Sequence, residues 1–151
     1  MKIFIIAGEP SGDEYGAKLI TALKNDSPNL SINGIGGPLM EKQGLNSMVP
    51  LNQIAVMGFG EVIKKIKFFI NLEKRILRFL KKNKPDKIIL IDYPGFNLRV
   101  AKKIKKNSNT KIIYYISPQI WAWKEKRINT IKKYVDILLV IFEFEKNWYE
   151  K

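Results

Sequence analysis

The sequence contains no cysteine and no histidine. Without cysteine, the chain has no disulfide framework and no thiolate nucleophile. Without histidine, it lacks the side chain that most often serves as a base near neutral pH or as a metal ligand. Any acid–base chemistry must therefore fall to Asp, Glu, Lys or Tyr.

The sequence also lacks a long apolar run and a secretory signal. No apolar stretch approaches the ~20 residues needed to span a bilayer. The apolar segment at 2–7 is too short for the core of a signal peptide, and the residues from Gly8 onward are loop-like. We therefore expect an intracellular chain that is not integral to the membrane.

Acidic residues are scarce, with 14 against 27 basic ones, which gives a net charge of +13 over 151 residues. This balance is typical of proteins that bind phosphate groups, nucleic acids or anionic membranes. Lys greatly outnumbers Arg, and Ile and Asn are abundant, as in the product of a low-GC genome. We attribute more than half of the charge to this compositional drift, so the charge alone does not identify a partner.

Short apolar segments alternate with helical patterns along the whole chain. The length and the 46% hydrophobic content are enough for one domain with a sizeable core. Alternating strands and helices predict an α/β fold with a doubly wound parallel sheet, which is Rossmann-like. The predicted strands are Ile3–Ala7, Leu30–Ile35, Lys87–Asp92, Lys111–Ile116 and Asp136–Phe142.

One stretch, KIILIDYPGFN at 87–97, combines a buried strand with a single carboxylate at its end. Ligands of open α/β sheets bind beyond the carboxyl ends of the strands, so Asp92 should point into that crevice. An aspartate that merely caps the turn before the next helix is an equally good interpretation. Asn97 is well placed as the N-cap of that helix.

A glycine-containing loop, Gly8–Asp13, follows the first predicted strand and precedes a helix. Backbone N–H groups at such a helix start bind anions. However, the loop matches neither a Walker A nor a GxGxxG pattern, and it carries two acids. A contact to a sugar hydroxyl, a catalytic contact and a purely structural turn all remain open.

A long amphipathic helix is predicted from about Glu61 to Lys82. Its first half carries an apolar stripe flanked by lysines, which is typical of helices that lie in a membrane interface. Packing against the sheet of the same domain is the default alternative. The stripe consists of Val62, Ile63, Ile66, Phe69 and Ile70.

Two tryptophans, Trp121 and Trp123, lie in a proline-containing loop after the fourth predicted strand. Tryptophan is costly to expose and is often used to stack on sugars, rings or acyl chains. Buried packing is the alternative interpretation.

Six short motifs follow one another along nearly the full length of the chain. Each motif alone is weak, but their order and the double-tryptophan block make the set highly specific. They are AGEPSGD (7–13), GGPLM (36–40), AVMG (55–58), DYPGFN (92–97), YISPQIWAWK (115–124) and the Phe144–Glu145 pair. In this set the chain resembles the lipid-A-disaccharide synthase family.

The resemblance implies an inverting glycosyltransferase with the two-domain GT-B fold. Such an enzyme joins UDP-2,3-diacylglucosamine to 2,3-diacylglucosamine 1-phosphate (lipid X) and releases the β-1,6-linked disaccharide 1-phosphate and UDP. It works as a peripheral protein at the cytoplasmic face of the inner membrane. The resemblance implies no cofactor, no metal ion and no nucleic-acid partner, and it leaves open a homodimer for the full-length protein.

The resemblance also implies roles for individual residues. Asp92 becomes the general base that deprotonates the acceptor 6-hydroxyl, and the apolar stripe becomes the membrane contact. The substrate-binding candidates on the acceptor side of the cleft are Glu9, Ser11, Gly12, Asp13, Asn97, Ser117, Trp121 and Lys124.

Two positions depart from the family pattern: Gly95 stands where some members carry an acid, and Glu143 stands where a proline often precedes the Phe–Glu pair. The chain also covers less than half of a typical member. Residues 1–151 then correspond to an N-terminal acceptor-side domain without the C-terminal UDP-sugar domain, and we expect no activity from this chain alone. The alternatives are another UDP-sugar enzyme, such as an epimerase or a different glycosyltransferase, and a basic non-enzymatic domain that binds nucleic acid.

Overall fold

The computed structural model describes residues 1–56, 62–119 and 125–150, with the side chains at 55, 56, 62 and 63 outside the description. Six strands in this part of the chain form one parallel sheet in the order β3-β2-β1-β4-β5-β6. This confirms the predicted α/β, doubly wound, Rossmann-like sheet. The strands are β1 Lys2–Ala7, β2 Ser31–Gly36, β3 Leu45–Pro50, β4 Lys87–Ile91, β5 Lys111–Tyr115 and β6 Ile137–Leu139.

The helices connect successive strands, and the longest of them returns the chain from the edge strand β3 to the central strand β4. None of the described helices is both long and apolar enough to cross a bilayer. The helices are α1 Pro10–Asp26, α2 Pro38–Lys42, α3 Leu51–Val56, α4 Val62–Asn83, α5 Pro94–Asn107, α6 Ile128–Tyr134 and α7 Glu143–Tyr149, with a 3₁₀ turn at Glu125–Arg127 before α6.

The sheet separates two apolar cores because alternate side chains of each buried strand point to opposite faces. Helices α1 and α2 cover one face through residues such as Ile20 and Met40. Helices α4, α5 and α6 cover the other face through residues such as Ile76, Ala101 and Ile131. The central strands β1 and β4 are therefore buried on both sides, as their continuous apolar sequences predict.

The predicted amphipathic helix exists as α4, but Phe69 does not belong to its outer surface. Phe69 is buried and packs against Phe68, Phe96 and Tyr93. The assignment of Phe69 to a membrane-facing stripe is therefore wrong, because the helix needs that ring to close the core over β4. Ile66 and Ile70, which are 54% and 41% exposed, do face outward.

Strand β3 was not predicted, and several predicted boundaries differ from the structure; β6, predicted as Asp136–Phe142, covers only Ile137–Leu139. The predicted loop at Gly8–Asp13 is shorter, because α1 already begins at Pro10. Proline is favoured in the first turn of a helix, where its missing N–H costs nothing. Strand β4 ends at Ile91, so Asp92 is the first residue beyond the sheet.

The charge of the chain is distributed very unevenly between the two helical layers. Helix α4 carries eight basic residues and one acid, α5 carries five basic residues and no acid, and α6 carries two and none. On the opposite face, α1 and α2 together carry three basic residues and four acids. The single acid of α4, Glu73, is buried and paired with Arg99 and Lys103 of α5. The outer surface of one layer is thus almost purely basic.

Candidate active site

The site lies where the connections of the sheet change direction, between the adjacent strands β1 and β4. Ala7 pairs with Ile91 at the carboxyl end of these strands. From there β1 leads through α1 to β2 on one side, and β4 leads through α5 to β5 on the other. The connections that follow β1 and β4 run in opposite directions and leave a crevice between them. Open α/β sheets bind ligands in such a crevice. Glu9 and Asp92 are the carboxylates that follow the two strands.

Asp92 and Tyr93 leave the strand in an unusual backbone conformation. Both have positive φ angles, 42° and 47°, which side chains with a Cβ rarely adopt. The kink is stabilised by three hydrogen bonds at Asp92: its N–H donates to Tyr115 O (3.1 Å), and its carbonyl accepts from Tyr114 Oη (2.5 Å) and Asn97 Nδ2 (2.8 Å). Strained residues held by their surroundings are typical of functional sites.

Asn97 does not cap helix α5, which corrects the prediction from the sequence. The helix begins at Pro94, so Asn97 lies within its first turn and is fully buried. Its amide donates to the carbonyls of Ile91 (3.1 Å) and Asp92 (2.8 Å). Asn97 thus fixes the end of β4 and the orientation of Asp92 from below. A contact between Asn97 and a substrate stays a prediction.

The carboxyl groups of Glu9 and Asp92 face each other across the crevice, close enough for Glu9 to act on the protonation of Asp92. The pKa of Asp92 is raised to about 6. Burial of the carboxyl is the largest cause, and Glu9 adds to it through hydrogen bonding and through its charge. The N–H of Tyr93 opposes this shift only in part. The Ser11 hydroxyl donates to Glu9 Oε1 at 3.3 Å and sits on the exposed rim of the site. Asp92 is therefore a carboxyl that can exchange a proton near neutral pH.

Gly8 allows Tyr93 to lie directly over the end of β1. A Cβ atom at Gly8 would come within 2.3 Å of Cδ1 of the Tyr93 ring. Gly12, another predicted site residue, is buried in the first turn of α1 and faces Ala7. These close contacts hold the two halves of the crevice together.

Asp13 caps the start of the neighbouring helix α2. Its buried carboxylate accepts hydrogen bonds from Gly37 N (2.8 Å), Leu39 N (3.1 Å) and Met40 N (3.0 Å). Three N–H groups at the start of α2 are thereby satisfied, as the first turn of a helix requires. This arrangement positions the GGPLM segment beside the crevice. Direct contact between Asp13 and a substrate stays a prediction.

Ser117 joins the motif after β5 to the Phe–Glu motif near the chain end. The Ser117 hydroxyl donates to Glu145 Oε2 at 2.8 Å, and both residues are buried. The same Glu145 oxygen also accepts from the N–H groups of Ile141 and Phe142, both at 3.3 Å. The sequence marked Glu145 as part of a motif but did not predict this contact.

An open cavity of about 580 Å³ extends from Asp92 across the ends of β5 and β6. Its described walls contain one cation, Arg127, which forms no ion pair with any described residue. The lining also includes Ser117 and Glu145. Arg127 was not predicted as a site residue, because in sequence it is one of many basic residues at a helix start. Trp121 and Lys124 lie outside the described residues.

Gly95, in the first turn of α5, has open space around it. A Cβ atom there would meet no other atom within 4 Å. An acid at this position would therefore fit without rearrangement, and its absence leaves Glu9 as the carboxyl that contacts Asp92.

Comparisons with known proteins show which family the sequence of the chain matches. The family model described as lipid-A-disaccharide synthetase matches residues 3–151. The chain is 47% identical over 150 residues to a lipid-A-disaccharide synthase of Francisella philomiragia. It is 50% identical over 149 residues to lipid-A-disaccharide synthase 1 of Legionella pneumophila strain Paris. It is 44% identical over 149 residues to a lipid-A-disaccharide synthase of Coxiella burnetii strain Dugway.

Each of these three matches covers 99% of this chain. The chain spans only 39% of the length of each relative.

Proposed function

Because the chain belongs to the lipid-A-disaccharide synthetase family, we propose that it forms the acceptor side of a glycosyltransferase active site in lipid A biosynthesis. The donor is UDP-2,3-diacylglucosamine, and the acceptor is 2,3-diacylglucosamine 1-phosphate. The products are the β-1,6-linked disaccharide 1-phosphate and UDP. No cofactor or metal ion takes part.

The position and chemistry of Asp92 carry this proposal. Asp92 stands in the crevice at the switch point of the sheet, and its pKa is raised to about 6. A general base works best when its pKa lies near the working pH. In a chain without histidine, this carboxylate is the best-placed base among the described residues.

The proposed reaction is a single displacement with inversion. The Asp92 carboxylate takes the proton of the acceptor 6-hydroxyl while that oxygen attacks the anomeric carbon of the donor. The bond between the anomeric carbon and the diphosphate oxygen breaks, and UDP leaves with the electron pair. The proton acquired by Asp92 stays on its carboxyl until solvent removes it.

The remaining candidates divide into rim residues and supports. Glu9 and Ser11 are on the rim and can contact sugar hydroxyls. Arg127 lines the cavity that extends from Asp92, and it supplies the positive charge that a substrate phosphate requires. The supports, which hold the crevice in shape, are Gly12, Asp13, Asn97 and Ser117. Trp121 and Lys124 remain predicted substrate contacts.

The chain supplies one half of this active site. The relatives are about two and a half times as long, and we propose that their remaining part forms the second GT-B domain, which binds UDP. An inverting transfer needs donor and acceptor held in line, so the 151-residue chain alone should be silent. A full-length dimer is compatible with this arrangement.

The basic helical layer supports a peripheral position on the inner membrane. Ile66 and Ile70 are exposed on the first half of α4, one turn apart on the same face. Exposed lysines at 64 and 67 flank them. Apolar side chains that enter the interface beside cations that attract anionic lipid form the usual peripheral anchor. Such an anchor brings the site to substrates that are themselves acylated.

A transfer assay followed by mass spectrometry tests the proposal in two arms. The 151-residue chain alone should give no disaccharide from the two substrates. A chimera in which the chain replaces the matching segment of the Francisella philomiragia enzyme should give it. Disaccharide formed by the chain alone would contradict the half-site proposal, and a folded chimera that binds both substrates without turnover would contradict the assignment of the reaction.

A further inference from the structure

A second cavity lies at the opposite end of the sheet from Asp92. It has a volume of about 620 Å³, within the ~300–1,000 Å³ usual for small-molecule sites. It opens between the C-terminal halves of α4 and α5, beside the start of β4. Ile88 forms part of its floor, and at ~3.3 Å per strand residue it lies roughly 13 Å from Asp92. The cavity is therefore separate from the proposed reaction site.

The cavity combines an apolar floor with a cationic rim. Its floor and walls are formed by Leu77, Leu80, Ile88 and Ile104. Its rim carries Arg78, Lys81 and Lys84. None of the described residues that line the cavity has a carboxylate. None of the three cations forms an ion pair with a described residue, although Glu73 and Asp136 pair with other cations on the same layer.

Basic residues near a helix C-terminus also complement the helix dipole, which explains some of this charge. The dipole does not explain why Arg78 and Lys81 of α4, and Lys84 just after it, all border an apolar cavity. Small polar groups at Asn107, Ser108 and Thr110 complete the opposite rim. An apolar pocket with a cationic entrance is complementary to a molecule with an acyl chain and an anionic head.

We propose that this cavity, between the ends of α4 and α5, binds one acyl chain of an anionic membrane lipid, with the lipid head group held by Arg78, Lys81 and Lys84. The chain fills the space over Leu77 and Leu80, and the phosphate accepts charge-assisted hydrogen bonds at the rim. The site lies on the same basic layer as Ile66 and Ile70 but at the other end of α4. It anchors a lipid molecule rather than carrying out the transfer.

Titration calorimetry with monomeric lauroyl lysophosphatidylglycerol, below its micelle concentration, tests this site on the 151-residue chain. We expect saturable binding of one molecule, and at least roughly ten-fold weaker binding to the double variant Arg78→Gln/Lys81→Gln. Lauroyl lysophosphatidylcholine, with the same chain and no net charge, should also bind at least roughly ten-fold more weakly. Inorganic phosphate should not bind measurably, because it lacks the chain.

The matched control is Lys132→Gln/Lys133→Gln on α6, which removes the same charge from the same layer away from the cavity. It should leave lysophosphatidylglycerol affinity unchanged. Equal weakening by both double variants would overturn the site, because it would indicate general attraction to a basic surface. All four positions are exposed, so circular dichroism should show both variants folded.

A second copy of the chain is the competing occupant. Sedimentation that shows a dimer abolished by Arg78→Gln/Lys81→Gln, together with no lipid binding, would also overturn the proposal.

Discussion

The carboxyl groups of Glu9 and Asp92 face each other across the switch point of the sheet, where Glu9 adds to the raised pKa of Asp92. Each belongs to a different strand connection, and the pairing of Ala7 with Ile91 brings them together. The charge of Glu9 raises the pKa of Asp92, because ionising both groups brings two negative charges close together. Burial of Asp92 and, after it, this neighbour Glu9 raise the pKa of Asp92 to about 6, which suits a general base.

The raised pKa of Asp92 predicts a specific loss of stability with rising pH. The folded-state value of about 6 lies above the ordinary 3.8, so the folded chain binds this proton more tightly than the unfolded chain. The resulting stabilisation is complete below about pH 4 and is lost as the pH rises through 6. Asp92→Asn should therefore be more stable than the wild type at pH 8, by about 1 kcal/mol once screening of the half-exposed group is allowed for.

Urea denaturation at pH 4.5 and pH 8 measures this difference. The control is Asp26→Asn at the exposed end of α1, which should give no such gain at pH 8. A variant Asp92→Asn that is less stable than the wild type at pH 8 would show that the ionised carboxylate is well accommodated.

Glu9 should control the titration of Asp92. Replacing Glu9 by Gln removes its charge, so the pKa of Asp92 should fall below about 6. It should stay above the ordinary value, because burial is the largest cause of the shift. Carbon-detected NMR of the Asp92 carboxyl measures both values. Ser11→Ala, which keeps the Glu9 charge, should change the pKa of Asp92 less. An unchanged pKa of Asp92 in Glu9→Gln would show that Glu9 does not act on Asp92.

Gly8 and Gly95 should respond in opposite ways to the same substitution. At Gly8 a Cβ would overlap the Tyr93 ring at 2.3 Å, so Gly8→Ala should destabilise the chain by roughly 2 kcal/mol or more. At Gly95 the space is open, and alanine is favoured over glycine in a helix by about 0.5–1 kcal/mol. Thermal unfolding of both variants gives the comparison. Equal destabilisation at the two sites would mean that Tyr93 does not lie over Gly8 in solution.

Ile66 and Ile70 should account for part of any membrane binding. The double variant Ile66→Ser/Ile70→Ser removes two exposed apolar side chains, each worth roughly 1.5 kcal/mol or more when buried, so partitioning to vesicles should fall at least ten-fold. Vesicles of phosphatidylglycerol and phosphatidylethanolamine are a suitable probe. Phe69 is left intact because its loss would open the core.

The matched control for this experiment is Ile137→Ser/Leu139→Ser, which removes two apolar side chains of similar exposure from the edge strand β6. Partitioning that falls equally in both double variants would assign membrane binding to general hydrophobicity rather than to α4.

The sequence predicted the sheet well wherever strands are buried on both faces. Strands β1, β4 and β5 have continuous β-branched or aromatic runs, and their limits were correct to within one or two residues. Strand β3 was not predicted because apolar and polar residues alternate poorly in its sequence, LNSMVP. The segment also contains two polar residues and ends in proline, which an edge strand tolerates. Its pairing with β2 comes from the tertiary structure.

The sequence predicted that Asp92 follows a buried strand, but it did not predict the contacts among the candidate residues or the position of Arg127. Sequence placed Asp92 in the crevice, yet the left-handed kink at Asp92 and Tyr93 depends on hydrogen bonds from Tyr114 and Asn97. Likewise, the long-range contacts of Asp13 and Ser117 cannot be read from local patterns. Phe69 shows the same limit, since helical periodicity gives a stripe without saying which neighbour covers it.

The most direct test of the central claim is the effect of Asp92→Asn on glycosyl transfer in the active chimera. The account predicts that kcat falls by at least ~10²-fold, as expected for loss of a general base, while both substrates still bind. It further predicts that activity of the unmodified chimera falls as the pH drops below about 6, where Asp92 becomes protonated. Turnover of Asp92→Asn within about three-fold of the unmodified chimera, far short of the ~10²-fold loss expected for a base, would contradict the assignment.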